Sequence, residues 1–234
     1  MSLDTAKECG EVAKQFNVKL SVHAPYYINL ISENKETVEA SKKRILDSME
    51  RASLMDADIV VVHAGYYGKL TKKEAFEKMV EQLKDLVDKA KSSGWNTLLG
   101  LETSGRVRSF GTVEEIVKLC EEVKGCGIVL DAAHIFARQA GKIDYSEMFE
   151  KIKPLNLDHV HMHFSGIKWR PVKLTGSGNE WFHMIITSNQ PRFEPLAKEI
   201  LKRKLDVTII SESPILEVDS LHMKEIFEKL GYIF

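Results

Sequence analysis

The sequence is poor in cysteine, carries almost no net charge and contains no long apolar run. Its three cysteines, Cys9, Cys120 and Cys126, form neither an even disulfide framework nor a C-x-x-C metal pair. We therefore expect reduced thiols that pack in the core. A formal net charge of −1 excludes a globally basic nucleic-acid binder, although it is compatible with a local basic rim. No apolar run reaches the roughly 18 residues that suggest a membrane span, so we expect no membrane partner.

No linker or change of composition divides the chain. Its 234 residues are enough for one large core, which predicts a single domain over residues 1–234. The first residues, MSLDTAKECGEVAKQF, show an amphipathic helix pattern and not a secretory apolar segment. Together with the reduced thiols, this predicts a cytoplasmic protein.

Short apolar runs that end in an ionisable residue recur along the chain. In GIVLDAAH, residues 127–134, an apparent buried strand ends at Asp131, and a turn into a helix carries His134. Five other runs follow the same pattern: KLSVH at His23, IVVVH at His63, LLGLE at Glu102, HVHMH at His163 and TIISE at Glu212. Chance composition does not give six such strand ends, so we interpret them as one functional set.

Helical patterns alternate with these strands, for example over residues 35–55 and 71–91, which predicts βαβ units and a parallel sheet. An open sheet gathers its site at one crevice, whereas a closed ring brings every C-terminal strand end to one mouth. We therefore predict an α/β fold of the TIM type, a parallel (β/α) barrel. Six strands are counted where a full barrel has eight, so the predicted barrel lacks the first two. Residues 164–190, rich in Gly, Ser and Pro, are predicted to be irregular.

The residues at the predicted strand ends are metal ligands by type. Imidazoles and carboxylates suit zinc first and manganese next. The set is His23, His63, Glu102, Asp131, His134, His163 and Glu212, with His183 in the long irregular segment as an eighth. Because this set exceeds one tetrahedral zinc site, it predicts two or three ions that share a carboxylate. Such an arrangement can hold a phosphodiester and supply a metal-bound hydroxide.

Aromatic and basic side chains occur in loops at the same predicted face. Tyr26 and Asn29 lie just beyond His23, and aromatic rings at the rim of a site can stack on bases or wedge between them. The alternative is that a tyrosine at a strand-to-helix junction simply packs there with its hydroxyl in water. Arg106 and Lys168 would form part of a rim that attracts phosphate.

The motifs HAPYYINL, VVHAG, LETSG, LDAAH, HMHFSG and ISESP, in this order, resemble those of the endonuclease IV family of zinc-dependent apurinic/apyrimidinic endonucleases. The resemblance extends over essentially the whole chain. It implies a TIM barrel with a trinuclear zinc site. It also implies hydrolysis 5′ to abasic sites in double-stranded DNA, as in base excision repair.

The same resemblance implies a role for each residue. His23 and His63 would hold a first ion, which Glu102 would bridge to a second. Asp131, His163 and Glu212 would complete the second ion. His134 would belong to a third ion. Glu102, Asp131 and Glu212 would form the catalytic set. Tyr26 would enter the DNA minor groove while the abasic nucleotide is flipped out. Apart from the resemblance, the loop positions of Asn29, Arg106 and Lys168 at this face predict that they contact DNA.

The sequence departs from the family pattern at the third ion. The family supplies an Asp-x-His pair there, and the segment WRPVKLTGSGNEWFHM has none. His183 could supply the imidazole, but Trp181 stands two residues before it where the pattern has Asp. Glu180 is the alternative carboxylate. We therefore expect two or three zinc ions per chain.

Two other functions are compatible with these residues. A sugar isomerase or epimerase of the xylose-isomerase-like superfamily would hold one divalent ion with a Glu, Asp, His, Glu set and move a proton beside a carbonyl. It would not need His23, His63 and His134, which favour the nuclease. The third possibility is an inactive remnant that binds metal or DNA.

Overall fold

The structure is a computed structural model and describes residues 1–173 and 175–234. The α-helices in these ranges are α1 (Leu3–Gln15), α2 (Lys35–Leu54), α3 (Lys72–Ser92), α4 (Val113–Glu122), α5 (Ala132–Arg138), α6 (Tyr145–Ile152), α7 (Phe193–Arg203) and α8 (Glu217–Lys229). The β-strands are β1 (Ser21–His23), β2 (Ile59–Val62), β3 (Leu98–Glu102), β4 (Cys126–Asp131), β5 (Val160–Phe164), β6 (Gly166–Pro171), β7 (Gly178–Met184) and β8 (Val207–Ser211). None of these helices is long and apolar enough to cross a membrane.

The chain divides into two compact units. The first comprises Met1–Glu102, Arg108–Gly111 and Lys118–Ile128, and the second comprises Thr103–Val107, Thr112–Val117 and Val129–Phe234. The boundary passes through the middle of β4, whose first three residues belong to the first unit and whose last three belong to the second.

In the first unit, β1, β2 and β3 pair in parallel in the order of the chain. The register places His23 beside Val61 and Val62 beside Leu101. All four residues of β2 are buried, as expected for a parallel strand that is covered on both faces. The C-terminal ends of the three strands therefore lie along one edge of the sheet, where the predicted ligands of this unit occur.

In the second unit, β4, β5 and β8 also pair in parallel, with Asp131 beside His163 and His163 beside Ile210. Asp131 ends β4 and caps α5, because its Oδ1 accepts a hydrogen bond from the backbone N–H of His134 at 2.6 Å. The described ranges thus contain six parallel strands. This number confirms the prediction of a parallel α/β fold with six strands, where a full barrel has eight.

The segment predicted to be irregular contains an antiparallel hairpin of β6 and β7, so this part of the prediction was wrong. Trp169 anchors the hairpin, because its side chain packs against a buried cluster of Ala133, Ala137 and Ile167. Gly178, at the start of β7, lies so close to α5 that a Cβ atom there would collide with the carbonyl oxygen of Ala137. The hairpin is therefore held on α5, the helix that carries His134.

The three cysteines are free, in agreement with the predicted reduced thiols. Burial raises the pKa of the Cys120 and Cys126 thiols to about 12. Because the thiolate is the reactive form, we expect a thiol reagent at about pH 8 to modify only Cys9 in the native protein. Colorimetric counting should give one thiol per native chain and all three after denaturation. Rapid modification of a second thiol in the native protein would contradict this prediction.

Candidate metal centres

The first unit brings His23, His63 and Glu102 together in what we call the first cluster. Glu102 is fully buried, and the Nε2 atoms of His23 and His63 each lie 3.2 Å from the same oxygen, Oε2 of Glu102. The centroids of the two imidazole rings are 5.3 Å apart. One ligand atom from each of the three residues lies within 4.8 Å of the other two, a spacing that could hold a metal ion.

The hydrogen bond of His23 indicates what the first cluster can hold. Its Nδ1 lies 2.7 Å from the carbonyl oxygen of Ala24, and Nδ1 must donate because a carbonyl oxygen only accepts. In a neutral imidazole this tautomer leaves a lone pair on Nε2, which faces the Glu102 carboxylate. A lone pair and a carboxylate oxygen do not attract each other, so a cation between them would bind to both. Two imidazoles and a carboxylate are a donor set that fits zinc or manganese.

Tyr26 lies at the rim of the first cluster. The centroid of its ring is 5.5 Å from those of both histidines of the cluster, and its plane is inclined by 21° to the ring of His63. The residue is 69% exposed, so most of the ring is available to a ligand. Its predicted entry into DNA stays a prediction.

Asn29 has a clear role in the loops that follow β1 and β2. Its side-chain oxygen accepts hydrogen bonds from the backbone N–H groups of Ile31 at 3.3 Å and Tyr66 at 3.2 Å. The oxygen therefore ties the two loops together beside the first cluster. Contact of Asn29 with DNA, which the sequence predicts, also stays a prediction.

The second cluster consists of Asp131, His163 and Glu212, at the ends of β4, β5 and β8. Asp131 is fully buried and His163 is nearly so. The Nδ1 atom of His163 lies 3.1 Å from Oε1 of Glu212. Each of the three residues offers one ligand atom within 4.8 Å of the others, so this set also has the spacing of a metal site. Both carboxylates would gain from a cation, because burial penalises an uncompensated negative charge.

The third cluster joins His134 and His183 to Glu212, which it shares with the second cluster. The ring centroids of the two histidines are 5.5 Å apart. His134 Nδ1 donates to the carbonyl of Thr103 at 3.0 Å, so in its neutral form Nε2 again carries the lone pair. This Nε2 lies 3.2 Å from Oε2 of Glu180. Glu180 therefore lies beside the third cluster, for which the sequence analysis named it as the alternative carboxylate.

Arg106 and Lys168, predicted to contact DNA, lie in the second unit. Arg106 is about half exposed, and its Nε donates to Oε1 of Glu180 at 3.0 Å. Lys168 is exposed on β6. Both side chains are accessible to a ligand, and their contact with phosphate stays a prediction.

Two residues that support the clusters were missed at the level of sequence. Thr103 accepts a hydrogen bond from the Asp131 backbone N–H at 2.9 Å through its hydroxyl, and from His134 through its carbonyl. Arg138 donates to the carbonyls of Ser104 at 3.2 Å and Arg106 at 2.6 Å. Thr103 directly follows Glu102 in the motif LETSG, and this adjacency was the available signal. Nothing in the sequence pattern distinguishes Arg138.

Two proteins with similar sequences bear on the family of this chain. An uncharacterized protein of Methanocaldococcus jannaschii is 29% identical over 98% of this chain and 84% of its own length. A probable endonuclease 4 of Mesomycoplasma hyopneumoniae is 31% identical over 58% of this chain. The alignment spans about half, 49%, of that endonuclease.

Solved structures with the same fold are named for different activities. A D-tagatose 3-epimerase-like protein matches with a TM-score of 0.72 at 24% identity, over 97% of this chain and 82% of its own. Endonuclease IV from Thermus thermophilus matches with a TM-score of 0.68 at 18% identity, over 97% and 81%. These likenesses confirm the predicted TIM-barrel type of fold, and the endonuclease 4 relative supports the resemblance to endonuclease IV. The fold alone does not select an activity. A family model described as "Xylose isomerase-like TIM barrel" matches residues 1–227. The chain therefore belongs to the xylose isomerase-like TIM barrel family.

Proposed function

We propose that this protein hydrolyses the phosphodiester bond 5′ to abasic sites in double-stranded DNA, with two or three divalent ions, zinc foremost. One observation carries the proposal: each compact unit contains its own set of closely spaced imidazoles and carboxylates. A sugar isomerase with a single ion would have no need of His23, His63 and His134. The name of the endonuclease 4 relative supports the same choice.

The chain's own residues have distinct roles in this proposal. The first cluster would hold one ion and the second cluster another, with His134, His183 and either Glu212 or Glu180 at a third. When bound, the ions would polarise the phosphodiester and activate a water molecule for its hydrolysis. The Nδ1 hydrogen bonds of His23 and His134 orient each ring so that Nε2 presents its lone pair. That Glu102 bridges two ions stays a prediction.

Metal analysis and a nicking assay together test the proposal. We expect more than one zinc per purified chain, and nicking of a duplex with a single abasic site that a strong chelator stops. Affinity for this duplex should fall steeply with salt, because phosphate contacts release counterions. His159→Gln is the control for substitution of a histidine, since this imidazole lies outside the three clusters and pairs with Asp206 and Thr208. It should keep the metal content and the nicking activity of the unchanged protein.

The other functions predict different results in the same assays. Binding of the duplex without nicking would indicate an inactive remnant. About one metal ion per chain, with neither binding nor nicking, would indicate an isomerase or epimerase. The second cluster favours that alternative specifically, because it supplies three of the four ligands of a mononuclear sugar site.

A further inference from the structure

The β6–β7 hairpin carries two large aromatic side chains that no sequence motif accounts for. Trp181 is 51% exposed and Phe182 is 48% exposed, and their ring centroids lie 5.1 Å apart at an angle of 61°. Exposing so much of two neighbouring aromatic rings forgoes the free energy that their burial would supply. We call this pair the aromatic platform.

A β-bulge explains how two consecutive residues can both face solvent. In a regular strand, neighbouring side chains point to opposite faces of the sheet. Here the register shifts, so that Lys168 pairs with Phe182 and Trp169 pairs with Glu180, which leaves Trp181 as the extra residue. Bulges re-aim side chains and are frequent beside functional sites.

Positive charge surrounds the aromatic platform. The guanidinium carbon of Arg170 lies 3.5 Å from the ring centroid of Trp181, close enough for a cation–π interaction. Lys168 lies directly across the ladder from Phe182, and both Lys168 and Arg170 are exposed. Between them, Trp169 packs toward α5 and fixes the hairpin. The packing of Trp169 therefore holds in place the strand that carries Lys168 and Arg170.

The same strand connects the platform to the third cluster. His183 directly follows Phe182, and its ring lies beside that of His134. Glu180 directly precedes Trp181 and is the only carboxylate in residues 166–184, where it is ion-paired with Arg106. A ligand on the platform thus meets cations and aromatic faces, with His183 of the third cluster one residue away along the strand.

We propose that Trp181 and Phe182 stack on an unpaired nucleobase of a DNA strand while Lys168 and Arg170 neutralise the adjacent phosphates. This inference rests on the proposed function and names the part of the substrate that the hairpin contacts. Aromatic faces bind any base, and cations beside them bind the backbone, which is the combination used by proteins that bind single strands. A monosaccharide is uncharged and would make no use of the two cations.

Fluorescence anisotropy with a labelled single-stranded oligothymidylate tests the platform without requiring cleavage. Trp181→Ala and Phe182→Ala should each weaken binding by about fivefold to a hundredfold, the loss typical of one stacked base. Trp181→Phe keeps a stacking ring and should bind nearly as well as the unchanged protein. Phe16→Ala is the matched control, because Phe16 is 73% exposed but lies at the end of α1 in the first unit. Its affinity should equal that of the unchanged protein.

Intrinsic tryptophan fluorescence provides a second measurement on the same samples. Oligothymidylate should quench the emission of the unchanged protein, and most of this quenching should be lost in Trp181→Phe even though binding persists. The proposal is overturned if the protein does not bind oligothymidylate, if Trp181→Ala binds as tightly as the unchanged protein, or if a free ketohexose causes the quenching instead. Platform-dependent binding without nicking would defeat only the nuclease proposal. Nicking by a protein whose Trp181→Ala variant binds normally would defeat only the platform.

Discussion

Glu102→Gln is expected to lower nicking of an abasic-site duplex by more than about a hundredfold. Loss of a group that merely supports a ligand typically costs 10- to 100-fold in metal affinity or activity, so loss of a direct ligand should cost at least as much. The substitution keeps the shape of the side chain and removes only its charge. The two imidazoles that face Oε2 would then face an uncharged amide, and the first cluster would lose its only carboxylate.

Thermal unfolding separates loss of metal binding from loss of folding. Zinc at about a hundred times its Kd stabilises a native site by about 2.7 kcal/mol, so added zinc should raise the Tm of the unchanged protein. We expect Glu102→Gln to lose much of this rise. In chelator its Tm should be no lower than that of the unchanged protein, because the variant no longer buries a carboxylate without a cation.

The exposed residue Glu77 supplies the matched control. Its carboxylate lies 3.8 Å from Lys73 on α3 and belongs to none of the three clusters. Glu77→Gln should therefore leave nicking and the zinc-dependent Tm unchanged. Full nicking activity in Glu102→Gln would refute the role of Glu102, and a large drop in its Tm in chelator would show that the carboxylate acts on folding instead.

The strand-end residues could be predicted from sequence because parallel strands end at a common edge. The register of β1 with β2, and of β4 with β5 and β8, follows from short apolar runs whose last residues are ionisable. An apolar run closed by His or Glu therefore fixes both the element and the place of its ligand. This is why the strand-end pattern predicted His163 and Glu212 at the same end of the sheet although they are far apart in sequence. Their assignment to one ion came from the family resemblance.

The β6–β7 hairpin could not be predicted in the same way. Its strands lack a regular alternation of apolar and polar residues, because the bulge at Trp181 breaks the period of two. Glycines and a proline near its ends are also typical of loops. The geometry of His183 and Glu180, both on β7, depends on how the hairpin packs on α5. The sequence pattern therefore identified these two residues as candidate ligands but did not predict their positions in the fold.

The hydrogen bonds that side chains make within the loops also could not be predicted from the sequence pattern. Asn29 was predicted from its position beyond His23, but its side-chain oxygen is engaged by two backbone N–H groups. Arg138 supports the loop of Ser104 and Arg106 from a distance of more than thirty residues. Such partners depend on tertiary contacts between loops, which neither periodicity nor a local motif encodes.

Glu212→Gln is expected to remove more bound metal than His183→Gln, and the difference should be about one ion per chain. Glu212 belongs to both the second and the third cluster, whereas His183 belongs only to the third. If the third cluster is occupied, Glu212→Gln should lose about two ions and His183→Gln about one. If it is not occupied, the losses should be about one and none.

Metal analysis of the purified variants, with His159→Gln as control, gives these counts directly. The loss in His183→Gln reports whether the third cluster holds an ion. Where it does, the difference between the two variants reports whether Glu212 is shared. Equal losses would contradict the sharing of Glu212, whatever the total. A normal count in Glu212→Gln would point to Glu180 as the carboxylate of the third cluster, since its Oε2 already lies 3.2 Å from His134. It would also require the second cluster to hold its ion through Asp131 and His163 without Glu212.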